Sequence, residues 1–424
     1  MDQFPVIAAL ATMFALLIFS VPIVVAIGMG VIVSLFLGDL PYQLLLNKMF
    51  EALNSFPLLA VPFFILAGEI MQRGTMSNSL LKLSRTLVGH KPGGMAHVSV
   101  LTCLFYGALC GSAPATVAAV GGIMIPAMSK DCYPLSFSTA LNTTAGCLGV
   151  LIPPSVPLII YGCQANVSIS DLFIAGIIPG LFIGGVLMLS NILVCKYKGW
   201  GVCAMKATKK EIWEAFKEAK YAISVPFIVL GGIYGGIFTP TEAGATAVLY
   251  ALVIETFVSK SMNLKVFWDV FKATTIGSCA IFIIVSLAVA LGQLFIVYNT
   301  ADVIMELLGG AAQNKYLLLT FVIVVFLIFG CFLDMISNIV LMVPLFMPLL
   351  MKVGVDPIHF GIITIVALAI GFMTPPVGVN LFVAVSISGM RIDQLSLAIL
   401  PYVLLMTVCL FILAFCPALS LALL

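Results

Sequence analysis

Two pairs of consecutive prolines, Pro153-Pro154 in "GVLIPPSVPLIIYG" and Pro375-Pro376 in "GFMTPPVGVN", interrupt stretches that otherwise read as membrane-crossing helices. A proline inside a helix removes a backbone donor and clashes with the preceding turn, at about 3 kcal/mol or more, so each pair must break its helix. In hydrocarbon no water compensates the freed backbone groups. Such a break is tolerated only where it is buried in protein or lines a water-filled cavity.

The surroundings of these breaks are membrane-like throughout. Of 424 residues, 62% are hydrophobic and 8% charged, and mean hydropathy is +1.23, outside the range of soluble domains. Apolar runs longer than the roughly 20 residues that cross a bilayer recur from end to end, which predicts an all-α polytopic membrane protein with no soluble domain of useful size. The leading "MDQFPVIAALATMFALLIFS" has the apolar core of a signal peptide but carries Asp2 and no Lys or Arg before it, and reads as a retained first span. Eleven cysteines, among them Cys103, Cys110, Cys147 and Cys409, lie scattered without a C-x-x-C pair and read as small buried apolar residues. His90, His97 and His359 have no ligand spacing, so no transition-metal site and no metal enzyme is expected.

The proline pairs also reveal a repeat. Setting "SAPATVAAVGGIMIPAMSK" from Ser112 on "DMISNIVLMVPLFMPLLMK" from Asp334 fixes an offset of 334 − 112 = 222. Without a gap, that offset superposes Pro126 on Pro348, Lys130 on Lys352, Gly149 on Gly371 and one proline pair on the other. Further back, "FSVPIVVAIGMG" resembles "IFTPTEAGATAV", placing Pro22 on Pro240 at an offset of 218. The chain is therefore read as two related halves, 1–195 and 221–424, joined by a polar arm, 196–220.

Spans are expected at 4–20, 22–37, 51–72, 135–165, 171–195, 221–238, 241–259, 274–298, 358–388 and 394–423, with 98–129 and 316–351 as hairpins that enter and return on one side. This arrangement puts 16 of the 19 basic residues on one face, all but Lys48, Lys315 and Lys352. By the positive-inside rule that face is cytoplasmic, and both termini face outward. Five crossings separate the hairpins, so the second half is inverted relative to the first. The 316–351 run is too long for one crossing at about 1.5 Å per residue, and its only formal charge, Asp334, splits it into two arms. Its tip is then "LDMISN", matched in the first half by "GSAPAT". The rival reading, two ordinary spans joined by a short loop, reverses the sidedness of the later spans.

Each half thus supplies a hairpin tip and a broken helix, 135–165 in one and 358–388 in the other. Brought together near the midplane, these elements offer helix N-terminal N–H groups to an anion and exposed carbonyls to Na⁺. The side chains near the breaks are hard oxygen and amide groups. Ser112, Thr116, Thr143, Ser155, Asp334, Ser337, Asn338 and Asn380 are the candidates for the solute, with Asn142 and Thr144 nearby. For Na⁺ the candidates are Gly111, Ser112, Ile152 and Pro153 with Asp334, Thr374 and Pro375. Helix capping is the structural alternative for Ser112, Thr116 and Ser155. For Asp334 it is an N-cap of the returning arm, although an ionisable group within an apolar hairpin is costly and by default functional. Asn380 has the alternative of bonding a neighbouring helix. "TPTEAG", 239–244, reads as a capping box, and "GHKPGG", 89–94, as a turn into the first hairpin.

At these residues the sequence resembles a known family. "LAVPFFILAGEIM", "GSAPATVAAVGGIMIPAM", "IPPSVPLIIYG", "GIFTPTEAGA" and "GFMTPPVGVN", in that order, are similar to the large membrane subunit of TRAP transporters, the tripartite ATP-independent periplasmic systems. The resemblance covers essentially the whole chain. It implies an elevator-type transport domain of hairpins and broken helices moving against a scaffold. It also implies Na⁺-coupled import of organic acids such as C4-dicarboxylates or sialic acid across a bacterial inner membrane. The partners it implies are a small four-helix membrane subunit and an extracytoplasmic binding protein that delivers the solute. Two positions depart from the common pattern: Thr116 stands where many members have Asp, and Ser337-Asn338 where many have proline soon after the acid. Alternatives are a stand-alone anion transporter, Na⁺- or H⁺-coupled, of similar hairpin design, and a passive channel. An intramembrane enzyme is disfavoured, since Asp334 has no catalytic partner in sequence.

Overall fold

The computed structural model describes residues 3–19, 21–38, 40–201 and 206–424. Asp2 of the retained-span reading and 202–205 of the polar arm lie outside the described residues. Among the described residues the chain is helical throughout, without strands.

The chain opens with α1 (Phe4–Ile18), α2 (Ile23–Gly38), the amphipathic α3 (Tyr42–Leu53), α4 (Ala60–Arg73) and α5 (Met76–Val88). The span expected at 51–72 begins later, because α3 ends at Leu53 and a short 3₁₀ turn, Phe56–Leu59, leads into α4. Pro57 at the start of that turn lacks an N–H to continue the preceding helix. After the turn at 89–93 come α6 (Gly94–Cys110), α7 (Ala113–Thr116) and α8 (Gly122–Lys130), the last two joined without a break by a π turn, Val117–Gly121. Next are α9 (Leu135–Gly146) and α10 (Val156–Ala165), separated by a 3₁₀ turn and the Pro153-Pro154 break.

The long α11 (Ile169–Lys198) and α12 (Lys209–Tyr234) flank the polar arm, whose second half is the first three turns of α12 rather than a loop. A capping box starts α12: Thr208 Oγ1 accepts from Glu211 N–H at 3.3 Å, and Glu211 Oε2 accepts from Thr208 N–H at 2.6 Å. The bonds from Thr208 lower the pKa of the Glu211 carboxyl. The "TPTEAG" box is formed the same way at the start of α13 (Pro240–Val253). Then follow α14 (Leu264–Val297), ten residues longer at its start than the expected span, α15 (Thr300–Leu308), α16 (Lys315–Gly330), α17 (Met335–Lys352), α18 (Pro357–Gly371), α19 (Val379–Ser388), α20 (Ile392–Phe415) and α21 (Ala418–Leu421).

Among the described residues, six helical stretches are long and apolar enough to cross a membrane: Phe56–Arg73, Ile169–Lys198, Pro240–Val258, Leu264–Val297, Met335–Lys352 and Ile392–Phe415. Met335–Lys352 differs from the rest in being 67% buried, against half or less elsewhere, so protein rather than lipid encloses it. The chain is a multi-pass membrane protein.

Two groups of helices can be told apart, and they meet where α14 packs on α17 and where α4 and α5 pack on α6. In one, α1 packs on α2, α4 on α13, α5 on α12, and α14 on α2, α3 and α4. In the other, α6 to α10 and α16 to α20 interlock: α10 lies against α17, α19 against α9 and α7, and α16 against α18. Cys147 Sγ donates to Ala369 O at 3.1 Å, and Tyr161 Oη to Pro357 O at 2.6 Å, so the two broken helices are tied to each other across the centre. Both proline pairs are joined by cis peptide bonds.

Glycine permits closest approach at each break. A Cβ on Gly107 of α6 would lie 2.8 Å from Gly149 Cα, and one on Gly371 of α18 would lie 2.6 Å from Gly330 Cα of α16. The first arm of each hairpin therefore meets the broken helix that follows it backbone to backbone.

Candidate functional site

A cavity of about 320 Å³ opens where four interruptions meet. The 111–115 tip between α6 and α7 forms one wall, with Gly111 in the left-handed region at φ +59°. Asp334, Met335 and Ile336, at the start of α17, form another. The broken helices add Val150, Val156 and Pro157 from one pair of arms and Phe372 and Val379 from the other. The remaining wall comes from the other group of helices: Ile65, Gly68, Glu69 and Gln72 of α4, and Ile281 of α14.

Of the candidates expected from the sequence, Gly111, Ser112 and Asp334 line this cavity. The others do not line it. Thr116 Oγ1 donates to Ser112 O at 2.8 Å, bracing the first tip, and lies 3.3 Å from Cys110 Sγ. Ser155 Oγ donates to Val150 O at 2.6 Å, closing the loop around the proline pair. Thr374 Oγ1 donates to Ile370 O at 2.7 Å. Thr143 and Thr144 bond back to Thr139 O and Ala140 O within α9, and Asn142 Oδ1 accepts from Ser99 Oγ, so these three side chains are occupied in helix packing. Ile152, Pro153 and Pro375 contribute main chain at the breaks rather than cavity-lining side chains.

The two tips differ electrostatically. Asp334 caps α17, its Oδ2 accepting from Ile336 N–H at 3.0 Å and Ser337 N–H at 3.1 Å while Ser337 Oγ donates to Oδ1. That helix N-terminus already carries its own carboxylate. In α10 the N-cap Ser155 gives no side-chain bond to the helix start, and Ser112 gives none at the start of the continuous 113–130 helix. The first half thus starts two helices beside the cavity, at Ala113 and Val156, without a side-chain cap, and such helix starts favour an anion.

Two amide oxygens are left over. Asn338 is fully buried; its Nδ2 donates to Leu333 O at 3.2 Å and Asp334 O at 3.1 Å, and its Oδ1 has no partner. Asn380, equally buried, gives Nδ2 to Cys147 Sγ at 3.5 Å and also has an unpartnered Oδ1. A buried acceptor without a donor costs about 1–3 kcal/mol, and an alkali cation relieves that cost without supplying a proton.

Residue reasoning missed Glu69, Gln72, Cys110 and Ile281. A signal for Glu69 was present, since it is a carboxylate inside an expected span, the same observation that singled out Asp334.

Residues 10–419 match the family described as tripartite ATP-independent periplasmic transporter, DctM component. The chain belongs to that family. A DctM-family relative, the isethionate TRAP transporter permease protein DctMQ of Oleidesulfovibrio alaskensis, is 41% identical over 98% of this chain, which spans 66% of that protein's length. The C4-dicarboxylate TRAP transporter large permease protein DctM of Rhodobacter capsulatus is 33% identical over 97% of each chain. The sialic acid TRAP transporter large permease protein SiaM of Vibrio cholerae is 32% identical over 93% of this chain and 95% of that one. Among solved structures, the YdaH transporter of Alcanivorax borkumensis superposes with a TM-score of 0.59 at 15% identity, covering 90% of this chain and 89% of that one. MtrF of Neisseria gonorrhoeae gives 0.56 at 13%, covering 90% and 85%. At these identities the likeness to both is one of fold alone. As a member of the DctM family the chain is a membrane permease component of a transporter.

Proposed function

We propose that this chain is the large permease subunit of a Na⁺-coupled importer of a small organic acid in a bacterial inner membrane. It works with a small four-helix membrane subunit and an extracytoplasmic binding protein that hands over the solute. The observation that carries this reading is the cavity where both hairpin tips and both broken helices converge.

The charge pattern supports a division of labour. Uncapped N–H groups around Ala113, Ala115 and Val156, with Ser112, receive the acid group of the solute. Main-chain carbonyls at Gly111, Ile152, Pro153, Thr374 and Pro375, with Asp334 and the free amide oxygens of Asn338 and Asn380, receive Na⁺. Ser337 fixes the Asp334 carboxylate, and Thr116 and Ser155 hold the loops that display these carbonyls. Ions bound at both tips order the loops and complete the anion seat, a positive cooperativity that couples the two fluxes.

The two packing groups support an elevator reading: α6–α10 and α16–α20 carry the cavity, and α4 and α14 form the wall past which they move. The offset between the halves and the placement of basic residues support inverted repeats with both termini outside. The fused DctMQ relative supports the partnership with a small subunit. Proteoliposomes containing all subunits are expected to accumulate solute only with an inward Na⁺ gradient. Undiminished uptake without that gradient overturns the coupling, and uptake that needs no binding protein favours the stand-alone alternative.

A further inference from the structure

Two helices begin with the same pattern: α12 opens "KKEIWEAFK" from Lys209 and α14 opens "LKVFWDVFK" from Leu264. An offset of 264 − 209 = 55 superposes Lys210 on Lys265, Trp213 on Trp268 and Phe216-Lys217 on Phe271-Lys272, with an acid directly after each tryptophan. Burial runs in step. Ala215 and Val270, the seventh residue of each helix, are 0% and 1% exposed, whereas Trp213 and Trp268 are 57% and 69% exposed. At about 100° per residue, the matched lysines, tryptophan and phenylalanine share roughly a third of each helix surface, opposite that buried residue. Phe216 stacks on Trp213 with ring centroids 5.8 Å apart, and Lys217 Nζ lies 5.7 Å from the Trp213 centroid, so rings and ammonium stand side by side. Glu218, off this face, pairs with Lys82 of α5 at 2.6 Å. Among the described residues the four matched lysines are in no ion pair.

Both starts lie at one end of their helix group. α12 and α13 pack on each other across the short turn 235–239, so the end of α13 returns to the start of α12. There the N–H of Thr75, just ahead of α5, donates to Glu255 at 2.9 Å, and α14 begins five residues after the π turn Ile254–Val258 that carries Glu255. Beyond the matched starts both helices run into apolar sequence, "AISVPFIVLGGIY" in α12 and the membrane-crossing remainder of α14. The aromatic and basic residues thus stand where each helix leaves the hydrocarbon.

We infer that these two helix starts are paired binding sites for anionic phospholipid headgroups, with the rings at the boundary between headgroups and acyl chains and the lysines on the phosphates. Tryptophan favours that boundary whatever the lipid. Lysines with no protein carboxylate to neutralise them add attraction only where the lipid carries net negative charge. Bound in this way, lipid holds one end of α12 and α14 to the membrane surface.

The test is thermal stabilisation of the purified full chain, alone and with its small membrane subunit, in detergent titrated with dioleoyl phosphatidylglycerol or dioleoyl phosphatidylcholine at constant Na⁺. Phosphatidylglycerol is expected to reach half its effect at an about tenfold lower concentration, a preference that added choline chloride reduces by screening. K210Q/K217Q/K265Q/K272Q is expected to bring the ratio close to one, and arginine at the same four positions to preserve it, since the charge is kept. W213L/W268L is expected to weaken both lipids alike and leave the ratio unchanged. The lipid-free melting temperature of each variant is the folding control, and the salt dependence of the unmodified chain tests the charge without any substitution. If the fourfold glutamine variant keeps the preference, or the unmodified chain shows none, the inference falls. It falls equally if the preference appears only with the small subunit present, because a protein then completes the site.

Discussion

Asp334 combines two roles that a sequence argument weighs as alternatives. It caps α17 with one oxygen and takes Ser337 with the other, and it lines the cavity. An N-cap alone contributes about 1 kcal/mol, too little to account for transport. Asp334→Ala is therefore expected to abolish Na⁺-dependent uptake while membrane insertion and detergent extraction stay normal; normal uptake by that variant reduces Asp334 to a cap. A buried carboxylate that does not line the cavity, Glu255, has a structural part. Fully buried, it accepts from Thr75 N–H at 2.9 Å, Met76 N–H at 3.1 Å and Ser261 Oγ at 2.6 Å, fastening the start of α5 to the end of α13. Glu255→Ala strands those donors and is expected to lower stability by about 2–4 kcal/mol, read as a lower melting temperature in detergent with or without Na⁺.

Among the elements, the glycine crossings decide how closely hairpins and broken helices pack. At Gly371 a methyl group meets main chain, Gly330 Cα at 2.6 Å, and cannot be accommodated by rotating a side chain. Gly371→Ala is expected to cost about 1–3 kcal/mol and to lower the apparent Na⁺ affinity, because Thr374 and Pro375 lie within about one turn of it. Gly185 of α11, where a Cβ meets nothing within 4 Å, supplies the control: Gly185→Ala leaves both quantities unchanged. Equal behaviour of the two variants in a Na⁺ titration rejects the argument that backbone contact sets the geometry of the break.

On the scale of the whole molecule, orientation in the membrane is testable through native cysteines. Cys132 and Cys416 are both exposed, and the proposed topology puts Cys132 at the cytoplasmic end of the first hairpin and Cys416 at the outward C-terminal end. In chains retaining one of these thiols and no other, a membrane-impermeant maleimide added to intact spheroplasts is expected to label Cys416 and to spare Cys132 until the membrane is permeabilised. The reverse pattern inverts the topology. Enclosure of Met335–Lys352 by protein belongs to this scale too, since a helix apolar enough for lipid is buried by its neighbours instead.

The membrane class, the helical class and the places where helices stop are legible in the chain itself, because they derive from local chemistry: apolar length, prolines without an N–H, and charges too costly to leave in hydrocarbon. The capping boxes at Thr239 and Thr208 are local in the same way, although only the first stood out against an apolar background. Which side chains face the cavity was settled by packing between segments far apart in sequence. Glu69 and Gln72 reach it because Gly68 lets α4 approach Cys110, and Thr143 is excluded because its hydroxyl is spent on Thr139 within α9. A linear pattern records which groups a segment carries and where its backbone must break. Which of those groups are left without a partner, as the oxygens of Asn338 and Asn380 are, depends on what the rest of the fold brings within hydrogen-bonding distance.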